Sequence, residues 1–262
     1  MTDASRATLV AIAALSVLLA AASPTRAQAP AARTSTPPAS FTVISPIYSQ
    51  LVRFSMPSNF AVVFENAKDG NYIREAVLKG ETAQAWTQMI TVTGAKGLAG
   101  NRQVTPESFA VGIAAGFKKA CPDTFDANPL GATRFGDRDG FVAVAGCGRV
   151  TGSADKRGET ALIVAVRGSA DVYTIQWAER APGADKPALD DAKWRDRLSK
   201  LNPIMFCAIV PGEAAPYPSC GTKQRACAYR CYLRKYDERC GTKEHIEYSN
   251  SIRELFSRCV PH

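Results

Sequence analysis

Eight cysteines, at positions 121, 147, 207, 220, 227, 231, 240 and 259, constrain this chain more than any other feature. Five of them crowd between Cys220 and Cys259, where the phrase Cys-Gly-Thr-Lys occurs twice, at 220–223 and 240–243. Whether they crosslink, hold metal or stay as thiols depends on compartment, because disulfides persist only outside the reducing cytoplasm. The first residues bear on that question. Residues 1–6 are weakly basic, 7–22 are mostly Ala, Leu, Ile and Val, and 23–27 read Ser-Pro-Thr-Arg-Ala. This is the pattern of a secretory signal peptide, with cleavage expected after Ala27. The alternative is a retained membrane anchor, which the high Ala content disfavours because Ala drives insertion weakly. An exported chain is therefore expected, periplasmic or extracellular, with all eight cysteines kept after cleavage and free to pair.

Metal and redox readings are weaker. The chain has two histidines, His245 and His262. The tail spacing C-x6-C-x3-C-x8-C, with His245 nearby, holds enough soft ligands for zinc but lacks the usual C-x2-C knuckles. No C-x-x-C pair stands at a helix start, as a redox dithiol requires. No cofactor motif is present either. "GAKGLAG" (94–100) lacks the strand–loop–helix phosphate signature and reads as a mobile loop. "GDRDG" (136–140) lacks the ligands of a calcium loop and reads as a hairpin turn.

The precursor carries a formal charge of +8, and the leader's Arg6, Arg26 and Asp3 account for +1 of it, leaving +7. Such a surface favours acidic partners. Residues 28–40 (beginning QAPAARTSTPP) have nothing to bury and read as a disordered linker. From residue 41 the pattern changes. Strands are expected at 51–55, 60–64, 72–78, 86–93, 141–147, 161–167 and 172–179, with a possible last strand at 204–210. In 86–93 the side bearing Trp86, Gln88, Ile90 and Val92 should face the core. Residues 161–166 (ALIVAV) are apolar almost throughout, as in a central strand covered on both faces. The short 168–171 turn predicts a hairpin between the last two full strands.

Two helices stand out in this region. Residues 106–120 have Thr105 as cap, Pro106 at the first position and Glu107 in the first turn. Phe109, Ile113 and Phe117 form its apolar stripe, and Gly112 and Gly116 predict close approach of another backbone. Residues 190–200 carry Trp194, Leu198 and Leu201 on one face. Strands with few crossover helices indicate an α+β fold, an antiparallel sheet with packed helices, over 41–210.

Several phrases carry a resemblance: "ETAQAWTQMITVTG" (81–94), "ACPDTF" (120–125), "VAGCGRV" (144–150) and "GSADVYTIQWAER" (168–180). They resemble elements of uncharacterised exported proteobacterial proteins whose fold is similar to the Mog1/PsbP-type α/β sandwich. The likeness spans about residues 57–180, with Trp86, Trp177, Cys121 and Cys147 at its recurrent positions. It implies a fold and no catalytic residue set. On their own chemistry, Trp86 and Trp177 read as core residues of alternating strands rather than a stacking platform. Cys121, ending the helix, fits a disulfide to Cys147 at a strand end, worth about 3–4 kcal/mol. The alternative pairs either one with Cys207.

After a Pro-rich bridge at 211–219, residues 220–262 read as a disulfide-stapled αα-hairpin. Thr222 and Thr242 would cap helices at 223–236 and 243–258. A helix pair this short buries too little to stand without crosslinks. One scheme joins Cys207 to Cys220, Cys227 to Cys259 and Cys231 to Cys240. The first helix displays Lys223, Arg225, Arg230, Arg234 and Lys235 with no acidic residue among them. That basic face is the candidate binding surface, for an acidic envelope protein or an anionic membrane surface rather than nucleic acid.

Catalytic constellations are sparse. His245 and His262 are poorly placed for a nucleophilic triad. Glu65, Asp69, Glu75 and Glu81 are the carboxylates available for an envelope-polymer hydrolase. The reading favoured is a non-catalytic binding or structural module, with that hydrolase as the alternative.

Overall fold

The computed structural model describes residues 39–152 and 156–221. The leader, all but the end of the linker, and the tail beyond Gly221 lie outside them. So do Cys227, Cys231, Cys240, Cys259, Lys223, Arg225, Arg230, Arg234 and Lys235.

The described chain is an α+β sandwich of ten strands and two α-helices. In chain order these are β1 (Ser40–Ile47), β2 (Gln50–Pro57), β3 (Phe60–Lys68), β4 (Asn71–Leu78), β5 (Gln88–Ala95), α1 (Pro106–Ala120), β6 (Phe125–Phe135), β7 (Arg138–Cys147), β8 (Gly158–Arg167), β9 (Val172–Ala181), α2 (Asp191–Leu201) and β10 (Met205–Ala208). Seven strands form one antiparallel sheet in the order β3-β4-β5-β9-β8-β7-β6, and β1-β2-β10 form a smaller one. Two meanders, β3–β5 and β6–β9, are joined through α1, and β9 returns to pair with β5 in register Ile90↔Trp177.

The central run in β8 is buried on both faces. Leu162, Val164 and Val166 join the main core beneath the small sheet and α2, with Phe54, Trp194 and Phe206. Ala161, Ile163 and Ala165 turn to the other face, under α1. That second face is rich in alanine (Ala143, Ala145, Ala161, Ala165), which forms a shallow seat for Ala110 and the half-buried Phe109, Ile113 and Phe117. Helix α1 is capped by Thr105, whose hydroxyl accepts from Ser108 N–H at 3.0 Å, while Ser108 Oγ accepts from Thr105 N–H at 2.9 Å. Asp190 caps α2 through Lys193 N–H.

Several expectations need correction. Strand β5 starts at Gln88, and Trp86 precedes it. The indole packs with Val77 and Met89, on the opposite side from Ile90 and Val92. Loop 81–87 carries it there, braced by Glu81 accepting from both the N–H and hydroxyl of Thr87. Gly112 and Gly116 meet no backbone, since a Cβ at either would have open space around it. Strand β6 is additional. Its Pro129 and Gly131 break the sequence pattern, and both are accommodated at a bulge on an edge strand, where a ladder bond can be lost. Strand β1 is also additional. The 94–100 segment is pinned rather than mobile: Gly97 N–H donates to Asp171 at 2.7 Å, and Ala99 N–H donates to Ala170 O at 3.0 Å. The turn between β6 and β7 falls at Gly136-Asp137, as expected of the 136–140 phrase.

Two disulfides are formed, and no described cysteine is free. Cys121–Cys147 ties the end of α1 to β7 with Cα atoms 5.6 Å apart. Cys207–Cys220 has a Cα separation of 5.5 Å. It draws the Pro-rich segment back against β10, leaving Cys220 and Ser219 buried. Arg53 of β2 donates to Gly221 O at 2.7 Å on the same side. Among the described residues no helix is long and apolar enough to cross a membrane.

Candidate functional site

Helix α2 combines an apolar underside with a charged upper face. Trp194 and Leu201 are fully buried. Lys193, Arg197 and Lys200 project from the same helix toward the sheet end and solvent. Lys193 and Arg197 share one partner, Glu179, near the end of β9. Lys193 Nζ lies 2.5 Å from Glu179 Oε2, and Arg197 Nε lies 2.7 Å from Oε1. Burial pushes the Glu179 pKa up, but the hydrogen bonds and charges of Lys193 and Arg197 outweigh it and hold the carboxyl below its usual range. Lys200 and Asp196 add a one-turn pair at 2.6 Å. This is a basic, salt-bridge-rich surface near the C-terminal end of the described chain.

A cleft of about 390 Å³ opens between the C-terminal half of α2 and the β2–β3 turn. Phe60 and Trp177 form its floor, packed edge to face with centroids 5.3 Å apart. The Trp177 indole N–H donates to Gln88 Oε1 at 3.1 Å, and the Arg197 guanidinium lies 4.8 Å from the indole centroid. Asn59, Ser199 and Lys200 form the exposed rim. Sequence reading placed Trp177 in the core but did not find this cleft. Its walls come from segments more than a hundred residues apart, and no local spacing marks them.

The four candidate carboxylates do not converge. Glu65 faces Arg74 across the β3–β4 ladder and pairs with it at 2.9 Å. It also accepts from Tyr72 OH at 2.7 Å, and these bonds hold its pKa low. Arg74 reaches Ser45 of β1, so this group lies on the small-sheet side. Glu75, the next residue along β4, points to the opposite face because strand side chains alternate. Burial raises its pKa, yet its cross-strand neighbours are Phe64 and Thr91, not a second acid. Asp69 stands in the β3–β4 turn, its side chain 82% exposed. Glu81 is engaged by Thr87. A hydrolytic pair needs two carboxyls across one substrate with divergent pKa values. These four sit on two faces, a turn and a loop. Among the described residues no group of three or more His, Cys, Asp or Glu side chains could hold a metal ion.

No protein-family model matches the chain, and comparison with curated proteins returns no match. Comparison with solved structures finds a likeness of fold. A protein from Bacteroides thetaiotaomicron shares 11% identity over 70% of this chain and 55% of its own, so this chain spans about half its length, at a TM-score of 0.34. The Saccharomyces cerevisiae Ran-binding protein Mog1p shares 10% over 60% and 84%, at 0.35. LpqN of Mycobacterium tuberculosis, involved in cell envelope biogenesis, shares 9% over 64% and 90%, at 0.34. The resemblance is to a Mog1p-like α/β sandwich, weak and partial. It carries no argument about activity.

Proposed function

We propose that this chain is a non-catalytic, exported binding module, acting in the periplasm or outside the cell through a basic C-terminal contact surface. One observation carries the reading. Beyond the described body the sequence runs through Lys223, Arg225, Arg230, Arg234 and Lys235 with no acidic residue between 223 and 235, while the α2 cations Lys193, Arg197 and Lys200 are matched by Glu179 and Asp196. Positive charge gathered in this part of the chain favours a negatively charged partner, an acidic envelope protein or an anionic membrane surface. The scattered carboxylates support binding over hydrolysis.

The test uses the mature, oxidised chain against phosphatidylglycerol vesicles and against protein-rich envelope fractions. Raising salt from about 0.1 to about 1 M shortens the screening length from about 10 to about 3 Å and should release the partner. Joint replacement of Lys223, Arg225, Arg230 and Arg234 by Ala should abolish binding. Vesicle binding identifies the membrane arm, and protease-sensitive binding the protein arm. Affinity indifferent to salt, or retained by the fourfold variant, overturns the reading.

A further inference from the structure

We propose that the cleft between α2 and the β2–β3 turn is a saccharide-binding site, independent of the basic tail. Its volume of about 390 Å³ is that of a small-ligand pocket. Phe60 and Trp177 are almost fully buried, so they give a rigid apolar floor rather than an exposed stacking face.

The rim chemistry selects the ligand class. Asn59, Gln88 and Ser199 line the cleft with two amides and a hydroxyl. The Asn59 amide both donates and accepts, as sugar hydroxyls do, while Ser199 Oγ gives its proton to Asp196 O at 2.8 Å and is left as an acceptor. Gln88 uses its carbonyl oxygen on Trp177, which leaves its NH2 as a donor. The charged groups are already matched within the protein. Arg197 is bound to Glu179 and Lys200 to Asp196. A phosphate or carboxylate would have to displace those carboxylates to gain charge-assisted bonds, whereas a neutral polyhydroxylated ring can use the rim as it stands. The site is also pre-ordered. Gln88 and Trp177 sit on paired strands, Ser199 and Lys200 on a helix, and Arg197 is fixed by Glu179 and the indole, so little ordering remains to oppose binding.

The experiment is a titration of 15N-labelled mature chain with glucose and with N-acetylglucosamine, following the indole N–H of Trp177. Inorganic phosphate is the opposing probe. A saturable shift is expected with at least one sugar, at a Kd of about 1 mM for a single ring, and none with phosphate. Asn59→Ala should weaken binding about tenfold by removing one amide. Ser199→Trp, at an exposed helix position, should fill the cleft and abolish it, and gives the same answer if Asn59→Ala disturbs its turn. The fourfold tail variant should bind sugar normally, so failure of the tail reading leaves this result intact. No saturable shift with either sugar, a shift that Ser199→Trp leaves unchanged, or phosphate shifting Trp177 where both sugars do not would each overturn the assignment.

Discussion

Ser49 donates both its backbone N–H, at 3.0 Å, and its hydroxyl, at 2.5 Å, to one carboxylate oxygen of Asp171, 122 residues away in sequence. The other oxygen accepts from Gly97 N–H, and Tyr173 OH lies 3.1 Å from the first. One buried side chain thus ties the β1–β2 turn, the end of β5 and the β8–β9 turn together. Replacing it removes the shared acceptor of Ser49 and Gly97, which are exposed, and of the buried Tyr173 hydroxyl. Asp171→Ala should cost about 3 kcal/mol, measured by urea unfolding.

The same carboxylate makes stability depend on pH. Burial raises the Asp171 pKa, but the bonds from Ser49, Gly97 and Tyr173 outweigh it and hold it below the usual range. A group with a lowered folded pKa stabilises the fold above its unfolded value, about 3.9, and loses that contribution as pH falls through the folded value. The native chain should weaken below about pH 4. Asp171→Asn should lower the neutral plateau and flatten the acid slope; an unchanged slope would reject the assignment.

Glu75 has the opposite sign. Burial raises its pKa, so its contribution is most favourable below the unfolded value, about 4.3, and is lost as pH rises through the folded one. Glu75→Gln should raise the urea midpoint at pH 7 and leave it unchanged at pH 3. A loss of stability at pH 7 would show that the ionised form has a favourable partner.

The two disulfides close loops of different length. Chain-entropy arithmetic gives about 3.5 kcal/mol for Cys121–Cys147 and about 3 kcal/mol for Cys207–Cys220. Paired Cys→Ala variants should show those losses in denaturant unfolding. Peptide mapping without reductant should recover both bridges.

Gly94 of β5 faces Ile47 of β1 across the two sheets. An added Cβ would stand 2.7 Å from Ile47 Cγ2. Gly94→Ala should therefore cost about 1–3 kcal/mol through overpacking, while Ala at Gly112, which faces open space, should stabilise α1 by up to about 1 kcal/mol.

Arg180 lies over Trp86, its guanidinium carbon 3.6 Å from the ring centroid, and its Nε donates to Glu159 at 3.3 Å. Arg180→Ala should cost about 1–2 kcal/mol and alter Trp86 fluorescence. Arg180→Lys should recover part of the stability but little of the fluorescence change, because an ammonium cannot lie flat on the ring.

Local chemistry made much of this fold legible. Thr105-Pro106 and Cys121-Pro122 bracket α1 in the sequence as in the structure, because capping and proline geometry act within a few residues. The apolar run in β8 marked a strand covered on both faces, and alternating residues identified β4 and β9. Strand β6 escaped because the tolerance of Pro129 and Gly131 depends on their place at a sheet edge, which no local pattern records. Trp86 was assigned to the wrong face because period-2 alternation holds only inside a strand, and the ladder starts two residues later.

What the sequence determined by itself was the set of short-range elements and the α+β class they imply, since propensity, capping and periodicity are local interactions. Tertiary structure alone decided that Asp171 joins three distant turns, that Glu65 and Glu75 part to opposite faces, and that Asn59, Gln88 and Ser199 share one cleft. Those relationships depend on strand register and sheet packing, where a one-residue shift reverses every side chain, and that register is set only when the whole core closes.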